Sequence, residues 1–294
     1  MQIGRHIGIS DGFTTAPGYA ASTGCNFMQI FLASPKQNRV KQRTEKELLE
    51  LKAELKSNSM RMVIHGSYMI NLCHRTDSPK FKTGLKLIEG DLKASSIIGL
   101  RCIGVIIHMG KNVAELKMTD DEAIQSYIEG VQEVLAATPP DSTLILETGA
   151  SQGTEVGSRI TALAQIYNGF KKKEKARIKF CIDTCHIFAT GYCISDKAGV
   201  KAYFKKFDAK IGIDKIACFH FNDSKTDCGS NVDRHADIGY GFIDEEGLKA
   251  VAKFAVKHDI PIVMETPLDA INPKTGKEVT FKTELAKVKA FIKI

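Results

Sequence analysis

The sequence is as informative in what it lacks as in what it holds. No apolar run approaches the ~18 residues of a membrane-spanning helix, so no membrane association is expected. The opening "MQIGRHIGISDGF" has no basic segment followed by an apolar one, so no secretory signal is read there. There is no C-x-x-C pair among the eight cysteines, which argues against a cysteine-ligated zinc. Several cysteines (Cys102, Cys181, Cys218) sit in apolar runs, where a free thiol behaves as a small hydrophobe. Reduced thiols in an intracellular, by default cytoplasmic, protein are the expectation. Low-complexity segments and linkers are also missing. The chain has 294 residues, 43% of them hydrophobic and 26% charged, with a net charge of +7. Those are globular values, and the charge has the sign a polyanionic partner would need.

A short apolar run, a polar loop and a longer amphipathic stretch recur along the chain. Strands are expected at 5–10, 26–31, 61–65, 102–108, 143–147, 179–183, 216–221 and 261–265. Helices are expected at 44–58, where Thr44 and Glu47 have capping-box spacing, and at 78–99, 119–138, 244–259 and 282–294. The basic run Lys171 to Arg177 reads as a solvated turn. Eight short apolar strands separated by helices fit a single (β/α)8 barrel spanning 1–294, with a doubly wound open sheet as the rival.

The polar residues at the strand ends carry the chemistry. Consecutive strands close on or near His65, His108, Glu147, Asp183, His220 and Glu265. One such ending is commonplace; six in a row are not. In a barrel these ends converge on one face, where active sites form. In "FCIDTCHIFATGY" a histidine, His186, follows Asp183 by three residues, and alone that pair could be a hydrogen bond, an acid–base pair or a metal site. "VDRHADIG" adds Asp233 and His235 at alternating positions, which suits one side of an extended segment. Four carboxylates in one pocket repel unless cations neutralise them. Mixed imidazole and carboxylate donors favour Zn2+, Mn2+ or Fe2+ over Mg2+. At about three protein ligands per zinc, nine donors supply about three ions if one carboxylate is shared. His6, His74 and His258 lack this context and read as surface or satisfied histidines.

At these residues the chain resembles the endonuclease IV family of apurinic/apyrimidinic (AP) endonucleases. The motifs are "HGSYMINL", "LETGASQG", "CIDTCHIFATGY", "HFNDSK", "CGSNVDRHADIGYG" and "METP", and the likeness runs over essentially the whole chain. The resemblance implies a trinuclear zinc barrel. His65 and His108 would hold one ion, Asp183, His220 and Glu265 a second, with Glu147 bridging, and His186, Asp233 and His235 the third. It makes Glu147, Glu265 and His108 the residues cleavage depends on most. It implies a metal-bound hydroxide as nucleophile, hydrolysis 5′ to an abasic site leaving a 3′-hydroxyl and a 5′-deoxyribose phosphate, and trimming of blocked 3′ ends in base excision repair. The partner it implies is double-stranded DNA containing abasic sites or blocked 3′ ends; a monomer is the expectation, because the duplex must reach the barrel mouth. Tyr68 matches the family's inserted tyrosine, with Met69 where leucine is common. Lys36 stands where the family often has arginine, and Lys111 where it has serine. The alternatives are a metal-dependent sugar isomerase or epimerase on the same barrel, and a non-catalytic DNA-damage binder.

Overall fold

The computed structural model describes residues 1–10, 12–34, 42–273 and 276–293. Among the described residues ten strands appear in chain order: β1 (Ile3–His6), β2 (Phe27–Phe31), β3 (Arg61–His65), β4 (Cys102–Ile107), β5 (Leu144–Glu147), β6 (Ile178–Asp183), β7 (Ile216–His220), β8 (Asp223–Ser224), β9 (His235–Ala236) and β10 (Ile262–Met264). The helices are α1 (Ala16–Ser22), α2 (Glu45–Ser57), α3 (Pro79–Ile98), α4 (Asp120–Ala137), α5 (Ile160–Gly169), α6 (Lys172–Lys175), α7 (Thr184–Ala189), α8 (Lys197–Lys210), α9 (Glu245–Lys257) and α10 (Phe281–Ile292). Eight parallel strands close in the order β1-β10-β7-β6-β5-β4-β3-β2, so the expected barrel is the fold and the open sheet is excluded. β8 and β9 form a separate antiparallel ribbon.

Local chemistry sets the helix starts. Thr44 accepts from the Glu47 amide while the Glu47 carboxylate accepts from the Thr44 amide, at 3.2 and 2.8 Å. Thr119 and Glu122 repeat the device at the start of α4. The basic run is less of a turn than expected: Lys172–Lys175 form one helical turn, although its first lysines are solvent-exposed. The first strand runs over Ile3–His6 rather than 5–10.

Alternation along the strands divides the core in two. One set packs outward under the helices: Met28 and Ile30, Met62 and Ile64, Phe180 and Ile182, with Leu51, Leu92, Val131 and Val251. The other fills the barrel: Phe27, Val63, Ile106, Ile145, Cys181, Cys218 and Val263. Burying each large aliphatic or aromatic side chain contributes ~1.5–3 kcal/mol. At Gly104, φ is +143° and a Cβ would stand 2.5 Å from the Thr143 carbonyl oxygen, so only glycine fits there. The β3–β4 register shifts beside it, and His65 pairs with Ile106.

The interior set has a consequence for everything above it. Two residues further along a strand, the side chain points the same way. Adding two to each interior position gives Gln29, His65, His108, Glu147, Asp183, His220 and Glu265; on β1 the step from Gly4 reaches His6. The apolar plug therefore ends and a polar layer begins at one level around the C-terminal mouth.

Candidate metal centre

Glu147 is the hub. Its Oε2 lies 3.3 Å from both His65 Nε2 and His108 Nδ1, and its Oε1 lies 2.8 Å from His220 Nδ1. His220 Nδ1 also faces Glu265 Oε2 at 3.1 Å and Asp183 Oδ2 at 3.8 Å. Asp233 Oδ1 lies 3.1 Å from His186 Nε2 and 3.3 Å from His235 Nε2. Asp183 Oδ2 lies 3.5 Å from that same His235 nitrogen, so Asp183 also borders the second group.

The spacing in Asp183-Thr-Cys-His186 has a local cause. β6 runs straight into α7, and Asp183 is the helix N-cap, its Oδ1 accepting from the His186 amide at 3.0 Å. One carboxylate oxygen thus positions the next donor and leaves the other oxygen facing the cluster.

Four imidazoles are tied from behind. His65 Nδ1 donates to the Gly66 carbonyl (2.8 Å), His186 Nδ1 to the Thr148 carbonyl (2.7 Å), His235 Nδ1 to the Glu265 carbonyl (3.3 Å) and His220 Nε2 to the Gln29 side-chain oxygen (2.8 Å). Each fixes which ring nitrogen is turned to the cluster and open to an ion, the arrangement expected of metal-ligating histidines. His186 Nε2 and His235 Nε2 are buried and make no aligned hydrogen bond, despite the Asp233 oxygen near both.

The electrostatics ask for positive charge. Among the described residues no lysine or arginine pairs with Glu147, Asp183, Asp233 or Glu265. Burial opposes protonation of His220 and His235, yet the carboxylates lift them to about 10 and about 9, Glu265 and Glu147 acting on the first and Asp183 and Asp233 on the second. Burial alone would raise the Glu147 carboxyl, but His108 and His220 hold it well below its ordinary range. At His108 burial wins over Glu147, and the imidazole falls to about 4. Protons on histidines supply the missing charge in the metal-free protein; divalent cations on the same nitrogens would supply it better. Three groups of donors lie close enough to share an ion: His65, Glu147 and His220; Glu147, Asp183, His220 and Glu265; Asp183, His186 and His235. Cys185 also approaches Asp233 and His235; in the metal-free protein burial pushes its thiol up to about 12.

All nine expected donors meet at this mouth. Tyr68 and Met69 stand at its rim, 51% and 47% exposed, and line a cavity of about 720 Å³ together with His108, Lys111 and Glu155. The Tyr68 ring rests 5.8 Å from His65, 5.4 Å from His108 and 5.3 Å from Phe31, centre to centre. Lys111 pairs with Glu155 at 3.6 Å. Lys36 lies outside the described residues. A second cavity, about 850 Å³, opens near Arg61, Lys179 and Pro261 at the strand starts and holds none of the nine donors.

Two residues of the layer escaped the sequence reading. His6, read as a surface or satisfied histidine, closes β1, lines the cavity and is held down to about 4 by burial, Glu265 opposing. Gln29 reaches His220, Glu265 and His6 together. The signal for both was the two-residue step from the interior apolar residue.

The thiols also need correction. Cys193 and Cys228 form a disulfide, Cα atoms 5.8 Å apart and 35 residues apart in sequence, while the six other cysteines are free and buried. The ends meet because the loop after β8 folds back on α7: the amides of Gly229 and Asn231 donate to the carbonyls of Phe188 and Ala189 at 3.0 and 2.9 Å. Among the described residues no helix is long and apolar enough to cross a membrane.

Fold and mouth place the chain among the xylose isomerase-like TIM barrels, whose family model matches residues 17–287. Within that class the sequence is 55% identical over 292 residues to a protein of Acanthamoeba polyphaga mimivirus named endonuclease 4, covering 99% of this chain and 94% of that one. It is 33% identical to a protein of the same name from Cenarchaeum symbiosum, covering 94% and 96%. The chain belongs to the endonuclease 4 family. Endonuclease IV from Thermus thermophilus shares the fold with a TM-score of 0.79 at 24% identity, covering 99% of each chain. A D-tagatose 3-epimerase-like protein shares it at 0.72 with 14% identity, covering 99% of this chain and 97% of that one, so the fold alone does not choose the chemistry.

Proposed function

We propose that the protein is a DNA-repair AP endonuclease that hydrolyses the phosphodiester 5′ to an abasic site, leaving a 3′-hydroxyl and a 5′-deoxyribose phosphate, and that it also trims blocked 3′ ends. The observation that carries the reading is the meeting of nine imidazole and carboxylate donors at one mouth, eight of them in overlapping close groups and His108 beside Glu147, in a chain of this family. His65 and His108 would hold one ion, Asp183, His220 and Glu265 a second, Glu147 would be shared between them, and His186, Asp233 and His235 would hold the third. Zinc suits the donors best; manganese or iron would suit them too. When bound, such ions supply a water activated near neutral pH and neutralise the charge of the phosphate.

The chain's own groups do the rest. Glu147 keeps two sets of histidines in one frame, because its two oxygens face different rings. A nucleotide without its base loses stacking and is cheap to swing out of the duplex. The cavity of about 720 Å³ gives it a place. Tyr68 and Met69, exposed at the rim, enter the minor groove and replace the lost stacking. The barrel acts as a monomer, since the duplex must reach the mouth.

The sugar-epimerase alternative is disfavoured by His186, Asp233 and His235, a second set of donors that a one- or two-ion sugar site has no use for. Incision of a duplex with one tetrahydrofuran abasic analogue, before and after chelation and with metal counted on the same preparation, tests the reading. That analogue cannot undergo β-elimination, so a cut leaving a 3′-hydroxyl is hydrolytic. The expected result is cutting that requires about three zinc ions per chain. A fully metallated protein that leaves the duplex whole overturns it.

A further inference from the structure

We propose that Gln29 is a positioning residue that sets His220 and Glu265 in the one form a cation can use. The inference rests on the metal-binding part of the reading above and concerns what stands behind the donors. Gln29 is fully buried on β2, two residues after the interior Phe27. Its Nε2 lies 2.6 Å from Glu265 Oε1 and 3.1 Å from His6 Nδ1, and its Oε1 lies 2.8 Å from His220 Nε2.

Hydrogen-bond chemistry allows one seating of this amide. An ionised carboxylate only accepts, so the nitrogen end must face Glu265. The oxygen end then faces His220, and an amide oxygen only accepts, so His220 Nε2 carries the proton. With Nε2 held as a donor, Nδ1 is the nitrogen turned to Glu147 Oε1, Glu265 Oε2 and Asp183 Oδ2: it donates to those carboxylates in the metal-free protein and is the one whose lone pair a cation would take in the proton's place. The same amide occupies Glu265 Oε1 and leaves Oε2 for that common point. His6 closes the chain by accepting the second N–H of Gln29, so both ends of the amide are engaged and it has no reason to turn over.

A second amide supports the same trio from the other side. Asn222 Nδ2 donates to Asp183 Oδ2 at 2.8 Å, while its Oδ1 accepts from the Glu265 amide at 2.8 Å. Asn222 is fully buried as well. Asp183, His220 and Glu265 come from three different strands, and two neutral amides hold them in mutual register without adding charge. Without Gln29 the His220 ring could protonate on either nitrogen, and one of the two forms presents no lone pair to an ion.

Gln29→Met keeps the bulk and removes both polar ends. Zinc-loaded wild-type protein and Q29M would be titrated with a chelator, with zinc counted per chain at each step and the metal-free forms melted alongside. The expected result is that one zinc per chain leaves Q29M at about 10–100-fold lower chelator concentration, the loss typical when the partner of a metal-bound histidine is removed, while the others leave as in wild type. A purely structural residue would lower the melting temperature and leave the release of all ions in step. Release of every ion at the wild-type chelator concentration overturns the proposal. If Q29M does not fold, Gln29→Glu carries the test: it keeps an acceptor for His220 and loses the donor to Glu265, and its zinc should leave earlier than in wild type. Wild-type release from Q29E overturns the proposal equally. A wild-type protein that holds zinc but cuts no abasic duplex would sink the substrate reading and leave this inference standing; a wild type that holds none sinks both.

Discussion

The Asp183–His220–Glu265 group and the His186–Asp233–His235 group meet at one barrel mouth and are built on different principles. The first stands at the ends of β6, β7 and β10, with Asp183 and His220 fully buried. The second hangs largely on the loop and ribbon after β8, and the Asp233 side chain is 38% exposed. A strand-end donor is positioned by the sheet that carries it. A loop donor needs ties of its own, and here they are visible. The Asp233 amide donates to Gln152 Oε1 at 2.8 Å, the Lys225 amide to the Arg234 carbonyl at 2.8 Å, and the Cys193–Cys228 bond pins the loop beside α7. The lesson is that a barrel fixes a donor's backbone only along its strands, where side-chain amides then complete the orientation; off the strands the backbone itself must be tied. An ion held by the loop should be the more exchangeable one.

The largest effect is expected where the comparison has its hinge. Glu147→Gln should lower cleavage by at least about 10³-fold, the scale of losing a central electrostatic group, with circular dichroism unchanged. Activity within about tenfold of wild type would mean that Glu147 is not the shared carboxylate. A smaller, more selective effect is expected from Asp233→Asn. About one ion per chain should be lost while the strand-held ions stay, and activity should fall roughly 10–100-fold. If chelation of this variant strips the strand-held ions first, the ranking of the two groups is reversed.

The smallest effect is a pH profile of melting in the metal-free protein. His220 and His235, raised to about 10 and about 9, favour the folded state fully below their unfolded value and lose that contribution as pH rises through those values. His108 and His6, held down to about 4, act only in acid and do not cancel the trend. The metal-free protein should therefore melt at lower temperature as pH climbs from about 7 to about 10, and zinc loading should flatten the profile. Asp233→Asn, which takes one carboxylate from His235, should shrink the drop. An unchanged melting temperature across that range counts against the charge balance described for the site.

Much of this was legible because the barrel writes itself into the sequence twice, once as eight apolar runs and once as the polar residues that end them. What failed has physical reasons. In "RHIGIS" the apolar alternation continues past the strand, since Ile7 remains buried after the sheet has ended. His6 was therefore set at a strand start when it is a strand end. Gln29 carries no charge and ligates nothing, so a search for His, Asp and Glu passes over it. Cys193 and Cys228 meet only because a loop folds back on α7, and no spacing rule encodes that. Lys36, matched to a position where the family often has arginine, falls outside the described residues.

The disulfide also changes the topology of the molecule as a covalent object. It closes residues 193–228 into a ring that contains α8 and β7, the strand bearing His220. A protease nick anywhere inside that ring leaves the two fragments joined until a reductant is added, so the chain cut there migrates as one species without reductant and as two with it.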